Sequence, residues 1–288
     1  MDQRLLSIGH GYTAQALARR LTPKGWHIVG TTRSSDKTDA IASTGVEPLL
    51  WSESDLAPLI AAFPNILISA GPGAEGDPVL AVLYAQIVEA APQKHWVGYL
   101  STTGVYGDHG GRWVDETTPL TPSTTRGKAR VRAEAAWQGV PALPLHIFRL
   151  AGIYGTDRGP FAKVREGTAR RIIKHGQVFS RIHVDDIATA LELSLYRPAA
   201  GAIYNLCDDD PAPPEDVIAY AASLLGLPIP PSIPFEEVDM TPMARSFYAE
   251  SKRVRNDKIK QDLGWVPQYP DYRTGLNAIL STIRKGKI

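Results

Sequence analysis

The stretch from Arg4 to Leu21, RLLSIGHGYTAQALARRL, decides the reading of the fold. Leu5, Leu6 and Ile8 make a short apolar run that stops at Gly9. From Thr13 to Leu21, alanines and leucines recur at helical spacing until Pro23 and Gly25 close the segment. A strand therefore enters a helix through a glycine turn, and a second apolar run, His27 to Thr31, completes a βαβ unit. In the turn, Gly9, Gly11 and Ala14 spell GxGxxA. The first glycine permits the tight turn, the second lets backbone approach a pyrophosphate, and the small third residue lets helix and strand pack closely. Free N–H groups and the positive dipole end of the helix then face the phosphates, beginning at Tyr12. A bound dinucleotide is the expectation.

Working outward, further apolar runs at Asn65 to Ser69 and Trp96 to Ser101 also end in small polar residues and alternate with helix-compatible stretches. That alternation predicts an α/β protein with a Rossmann-type, doubly wound parallel sheet. Ser69, Ala70, Gly71 and Ser101, at the ends of those runs, join the expected cofactor site. Val46 to Trp51 is a weaker strand, Leu56 to Phe63 a helix, and Pro78 to Ala91 a long apolar helix with proline at its entry. Beyond these, Leu145 to Leu150 reads as a strand, Val184 to Tyr196 as a helix and Ala202 to Leu206 as a short strand. The segment LPIPPSIPF, Leu227 to Phe235, fits neither a central strand nor a helix interior and reads as a surface connection. The expected division is a dinucleotide-binding domain of residues 1–155 plus about 180–205, and a smaller C-terminal substrate lobe of about 156–179 and 206–288.

The end of the second strand sets the cofactor preference. An NAD-selective site places a carboxylate there for the ribose 2′-hydroxyl. This chain reads Gly30-Thr31-Thr32-Arg33-Ser34-Ser35, followed by Lys37: a guanidinium between hydroxyls, suited to a 2′-phosphate. NADP is therefore expected over NAD, with Arg33, Thr32 and Ser34 holding the phosphate; the alternative is that Arg33 stacks on adenine or faces solvent.

Composition narrows the partners. The chain has 288 residues, 31 basic against 30 acidic, a net charge of +1, 43% hydrophobic and 21% charged residues. These values describe an ordinary globular chain without the basic footprint that nucleic acid or an anionic membrane attracts. One cysteine, Cys207, leaves no intrachain disulfide and no cysteine-based zinc site, and no metal site is expected. No apolar run approaches the roughly 18 residues of a membrane span, and none near the N-terminus has the length of a signal-peptide core. The cytoplasm is the expected compartment.

From Trp96 the chain reads WVGYLSTTGVYGD, which resembles the fifth-strand segment of the extended short-chain dehydrogenase/reductases, the NAD-dependent epimerase/dehydratase family. Further matches follow in family order: RLAGIYG at Arg149 to Gly155, RIHVDD at Arg181 to Asp186, Tyr204-Asn205, and LGWVP at Leu263 to Pro267. The resemblance covers almost the whole chain. It implies that Thr102, four residues before Tyr106 of VYG, hydrogen-bonds the substrate's reacting oxygen, and that the substrate is a small molecule such as a nucleotide sugar.

The departure from the family concerns its YxxxK pair. In the stretch TPLTPSTTRGKAR, Thr118 to Arg130, Arg126 and Arg130 stand where tyrosine and lysine belong, as in an atypical branch of the superfamily. Arginine stays protonated above about 12 and shuttles no proton. At i and i+4 the two share a helix face, so Arg130 is a candidate for the lysine's grip on the nicotinamide ribose and Arg126 for an anionic substrate; surface ion pairing is the equal alternative. Lys128 points off that face. His183 is a candidate acid near neutral pH. Asp185 and Asp186 read as a helix start, Tyr106 and Tyr154 as packing residues, Cys207 as inert, and Arg149 and Arg181 as either phosphate ligands or structural arginines.

Two functions follow. One is an NADP-linked oxidoreductase, epimerase or dehydratase whose proton is relayed by water, substrate or His183. The other is an NADP-sensing or scaffold module without turnover. By the resemblance, a homodimer through the helices at Pro78 to Ala91 and Arg126 to Trp137 is a further expectation.

Overall fold

The computed structural model describes residues 2–285. In chain order, the first half holds β1 (Arg4–Ile8), α1 (Tyr12–Leu21), β2 (His27–Thr32), α2 (Thr38–Ala42), β3 (Glu47–Leu50), α3 (Glu53–Ala62), β4 (Asn65–Ile68), α4 (Leu80–Ala90), β5 (Trp96–Thr102), β6 (Trp113–Val114) and α5 (Thr125–Gln138). The second half holds β7 (Leu145–Leu150), β8 (Gly152–Tyr154), α6 (Phe161–Arg165), β9 (Arg171–Ile173), β10 (Arg181–His183), α7 (Val184–Tyr196) and β11 (Ile203–Leu206). It ends with α8 (Pro214–Leu225), β12 (Ser232–Pro234), α9 (Pro242–Phe247), β13 (Arg253–Val254), α10 (Asp257–Leu263) and α11 (Tyr272–Lys285).

Seven parallel strands form one sheet in the order β11-β7-β5-β4-β1-β2-β3. The chain builds β1, β2 and β3 outward to one side, then returns to place β4, β5, β7 and β11 on the other. The boundary between β1 and β4 is thus a topological switch point, where an open α/β sheet leaves a crevice outside its carboxyl ends. Strands β4 and β7 are buried at every position, as a sheet covered on both faces requires.

Each face has its own apolar layer. Ala14, Leu17, Ala18 and Leu21 of α1 repeat at helical spacing and pack with Ile187, Leu191 and Leu195 of α7 on one side. Leu56 and Ile60 of α3, Leu83 and Ile87 of α4 and Trp137 of α5 cover the other. The first layer also takes in Val254, Ile259, Leu263 and Trp265 from the C-terminal region, so that region reinforces the sheet core. A third cluster, with Phe161, Val217, Tyr272 and Leu276, joins α6, α8 and α11. In the proline-rich stretch, Ser232–Pro234 pairs only with β9 in a two-stranded ribbon. Helix α4 begins later than Pro78 because Asp77 turns back on its start, Oδ1 accepting the N–H groups of Val79 and Leu80 at 2.9 and 3.1 Å.

Candidate functional site

At the switch point the backbone of Gly9 has φ +83°, a left-handed conformation. Its N–H donates to Thr31 Oγ1 at 2.8 Å, tying the turn to the end of β2. A Cβ at Gly9 would lie 2.8 Å from the Ala70 nitrogen, so the turn closes directly on the residues that follow β4. Gly11 is the N-cap of α1 and brings no side chain to it, the first turn holds no acidic residue, and the space a Cβ would take at Gly11 is open to 3.9 Å. The first-turn amides of α1 therefore face the crevice uncapped. Ala14 is buried beneath them. Ser69 adds a buried Oγ with no hydrogen-bond partner among the described residues at the end of β4. Tyr12 leans the other way: its hydroxyl is buried against Gly155 and Val184 without a hydrogen bond, and burial, then Asp157 and Asp185, raise its pKa.

Thr31 and Thr32 end β2. Thr32 Oγ1 accepts the N–H of Ser34 at 3.2 Å, and the Ser34 hydroxyl donates to Asp36. Arg33 is exposed and makes no ion pair or hydrogen bond through its side chain among the described residues.

On the opposite side of β1, Thr102 ends β5, and its Oγ1 accepts the N–H of Gly104 at 3.1 Å, which leaves the hydroxyl proton free to donate. The first turn of α5 presses on that segment: a Cβ at Gly127 would stand 2.7 Å from the Gly104 carbonyl oxygen. Thr124 caps the helix by accepting the Gly127 N–H. The two arginines of this helix diverge despite their spacing. Arg126 is exposed, its guanidinium 5.7 Å over the ring of Phe247 in α9. Arg130 is half-buried and turns to the sheet, donating to Tyr99 Oη at 3.0 Å and to the Leu100 carbonyl at 2.8 Å.

Other candidates have structural surroundings. The Ser101 hydroxyl donates to Glu134 Oε1 at 2.5 Å, and Glu134 pairs with Arg149 at 2.8 Å, both nearly fully buried. Arg149 also donates to the Tyr106 hydroxyl, which donates to Asn205 Oδ1 at 2.7 Å. Arg149 and Tyr106 thus tie β7, the segment after β5, and β11 together. Arg181 donates to the carbonyls of Phe179 and Ala212, both at 2.9 Å. His183 is 3% exposed and caps α7: its Nδ1 accepts the Asp185 N–H at 3.2 Å, and burial lowers its pKa against the opposing charge of Asp185. That placement makes it a helix cap enclosed by Tyr154 and Tyr269. Asp185 and Asp186 occupy the first turn of α7, with Asp186 accepting the amides of Gln268 and Tyr269. Cys207 is buried, its thiol donating to the Val254 carbonyl. Tyr99, Asp77 and Phe247 carried no signal in the sequence; each meets the site only through the tertiary fold.

Among the described residues, no cluster of three or more His, Cys, Asp or Glu is arranged to hold a metal ion, and no helix is long and apolar enough to cross a membrane.

No family model matches the chain. A solved structure, that of "a functionally unknown conserved protein from Silicibacter pomeroyi DSS", is 60% identical, with 97% of this chain and 99% of that one aligned at a TM-score of 0.94. Protein YeeZ of Escherichia coli K12 is 29% identical over 285 residues, 93% of this chain and 97% of YeeZ. A Methylobacillus flagellatus structure assigned to the NAD-dependent epimerase/dehydratases is 25% identical over 99% of this chain and all of its own, with a TM-score of 0.75.

Proposed function

We propose, on the premise that the chain belongs to the extended short-chain dehydrogenase/reductases of the NAD-dependent epimerase/dehydratase type, that it is an NADP-linked oxidoreductase or epimerase for a hydroxylated, anionic substrate of the nucleotide-sugar kind. The observation that carries this is the bare glycine turn at the switch point, closed on Ala70 and opening the uncapped end of α1. The turn suits a dinucleotide: no heavy atom stands closer than 3.9 Å to a Cβ built at Gly11, and the buried Ser69 hydroxyl at the end of β4 has no partner among the described residues. Gly9, Gly11, Tyr12 and Ala14 would form the pyrophosphate cradle. Thr32, Arg33 and Ser34 would take the adenosine-side phosphate, and the unpaired state of Arg33 supports NADP over NAD.

When bound, the cofactor would supply the site with a hydride donor or acceptor. Thr102, whose hydroxyl proton is uncommitted, donates to the substrate oxygen and polarises it. Arg126, unpaired at the first turn of α5, attracts an anionic group of the substrate. No side chain on α5 takes the place of the phenol, so the proton comes from water or from the substrate. Such a gap costs about 10²- to 10⁴-fold in rate, which leaves a slow enzyme.

The test is incubation with a panel of nucleotide sugars, read by nicotinamide absorbance for net oxidation or reduction and by product analysis of the sugar for inversion, which returns the hydride and leaves the absorbance unchanged. Turnover that falls strongly in Thr102→Val supports the enzyme. The pair of arginines favours a second reading, a sensor that binds the cofactor without turnover. Its signature is retained cofactor affinity, silence across the panel and no effect of Thr102→Val.

A further inference from the structure

Two buried or half-buried arginines stand near the ends of the central strands, and their surroundings differ. Arg149 has the dress of a structural residue: it is 3% exposed, pairs with Glu134 through Nε and Nη2, and spends Nη1 on Tyr106. Arg130 has no carboxylate partner among the described residues. Its Nη1 alone is engaged, by Tyr99 Oη and the Leu100 carbonyl, and its guanidinium carbon lies 5.6 Å over the Tyr99 ring. A half-buried cation left without a counter-charge is costly, and an anionic ligand would relieve that cost.

The free side of the fork has a definite address. A Cβ at Gly71 would stand 3.2 Å from Arg130 Nη2, and Gly71 follows Ala70, the residue on which the Gly9 turn closes. The guanidinium therefore reaches the switch-point crevice from the β5 side, while Arg33 stands at its other flank, beyond β1 at the end of β2. Asp77, at the far end of the loop that begins at Gly71, is 6% exposed, and its Oδ2 has no hydrogen-bond partner among the described residues while Oδ1 accepts the first amides of α4. Burial pushes the Tyr99 phenol up to about 12, with Arg130 opposing and Asp77 reinforcing the shift, so Tyr99 is a neutral, fixed acceptor for the guanidinium.

We infer that Arg130 clamps the nicotinamide-side phosphate of the dinucleotide and that Tyr99 is the positioning residue that aims it. The inference rests on the cofactor reading under Proposed function and gives it a second anchor. The turn and α1 would grip the pyrophosphate through backbone N–H groups; Arg130 would close it from the opposite wall with a planar fork suited to phosphate oxygens.

Calorimetric titration with three ligands tests this: NADP+, 2′-phospho-ADP-ribose, which keeps both bridging phosphates, and 2′,5′-ADP, which lacks the nicotinamide-side phosphate. Arg130→Met is expected to weaken the first two by about 10- to 100-fold and to leave the third unchanged. Arg130→Lys should fall between Arg130→Met and the wild type. Tyr99→Phe should weaken the same two ligands by about 3- to 10-fold while sparing 2′,5′-ADP, a selectivity that a merely structural role would not produce. If Arg130→Met does not fold, Tyr99→Phe carries the same comparison. Equal losses on all three ligands, or none, would overturn the clamp while leaving the cofactor reading intact. Wild-type protein that takes up none of the three would overturn both.

Discussion

Replacing Gly9 with alanine tests the site at the turn that closes on Ala70. The residue sits at φ +83°, where an L side chain costs about 1–2 kcal/mol. Its new Cβ would meet the Ala70 nitrogen at 2.8 Å and the Ala70 Cα and Ser69 carbonyl carbon at 3.2 Å, all backbone atoms that cannot swing aside. Relief requires the segment after β4 to move away from β1, stretching the Ala70 N–H bond to the Ile8 carbonyl, already 3.2 Å long. Losing such a bond costs about 1 kcal/mol, so the substitution should destabilise the chain by about 2–3 kcal/mol. At roughly 2–4 °C per kcal/mol, a thermal melt without ligand should fall by roughly 4–12 °C. Gly11→Ala is the control: with φ −95° and open space to 3.9 Å, it should barely change the melt yet lower dinucleotide affinity, because its methyl group fills the phosphate's approach. A Gly9→Ala protein that melts with the wild type would refute the reasoning.

Arg33→Asp should weaken NADPH by about 10- to 100-fold and spare NADH; parallel titrations showing equal changes for both would remove Arg33 from the phosphate site. Arg149→Met leaves Glu134 buried and uncompensated, so urea denaturation should report a loss of about 3–5 kcal/mol, and a loss under 1 kcal/mol would contradict the structural role given to this pair. Burial depresses both His10 and His146 to about 4, below the 6.5 of an unfolded histidine. The unfolded chain then binds more protons between those values, so their stabilising contribution is complete above pH 6.5 and is lost as pH falls toward 4. In His146→Gln that acid-induced loss should shrink, as melts across the range would show; an unchanged slope would exclude His146.

The legible part of the fold was the part written locally. The strand, the GxGxxA turn and α1 lie within one stretch whose glycines, apolar spacing and closing proline all agree; β7 is a continuous buried run, and α7 is a long helix with a buried face. The ribbons β8–β10, β9–β12 and β6–β13 are two or three residues long, too short for any periodicity to register. The site was legible where chain neighbours build it and obscure where the sheet order does. Spacing put Arg126 and Arg130 on one face, but long side chains answer to what surrounds them: Arg126 follows Phe247 outward, and Arg130 follows Tyr99, distant in sequence, inward. His183 has the chemistry of an acid, and nothing in its neighbours along the chain announces its burial or its Nδ1 accepting the Asp185 amide.

The uncapped end of α1 and the Gly9 turn should hold a pyridine dinucleotide. Calorimetry of the wild-type chain with NADPH and NADH, at moderate salt, measures this. Saturable binding of both, tighter for NADPH, is the predicted result; no heat with either nucleotide at millimolar concentration would contradict it.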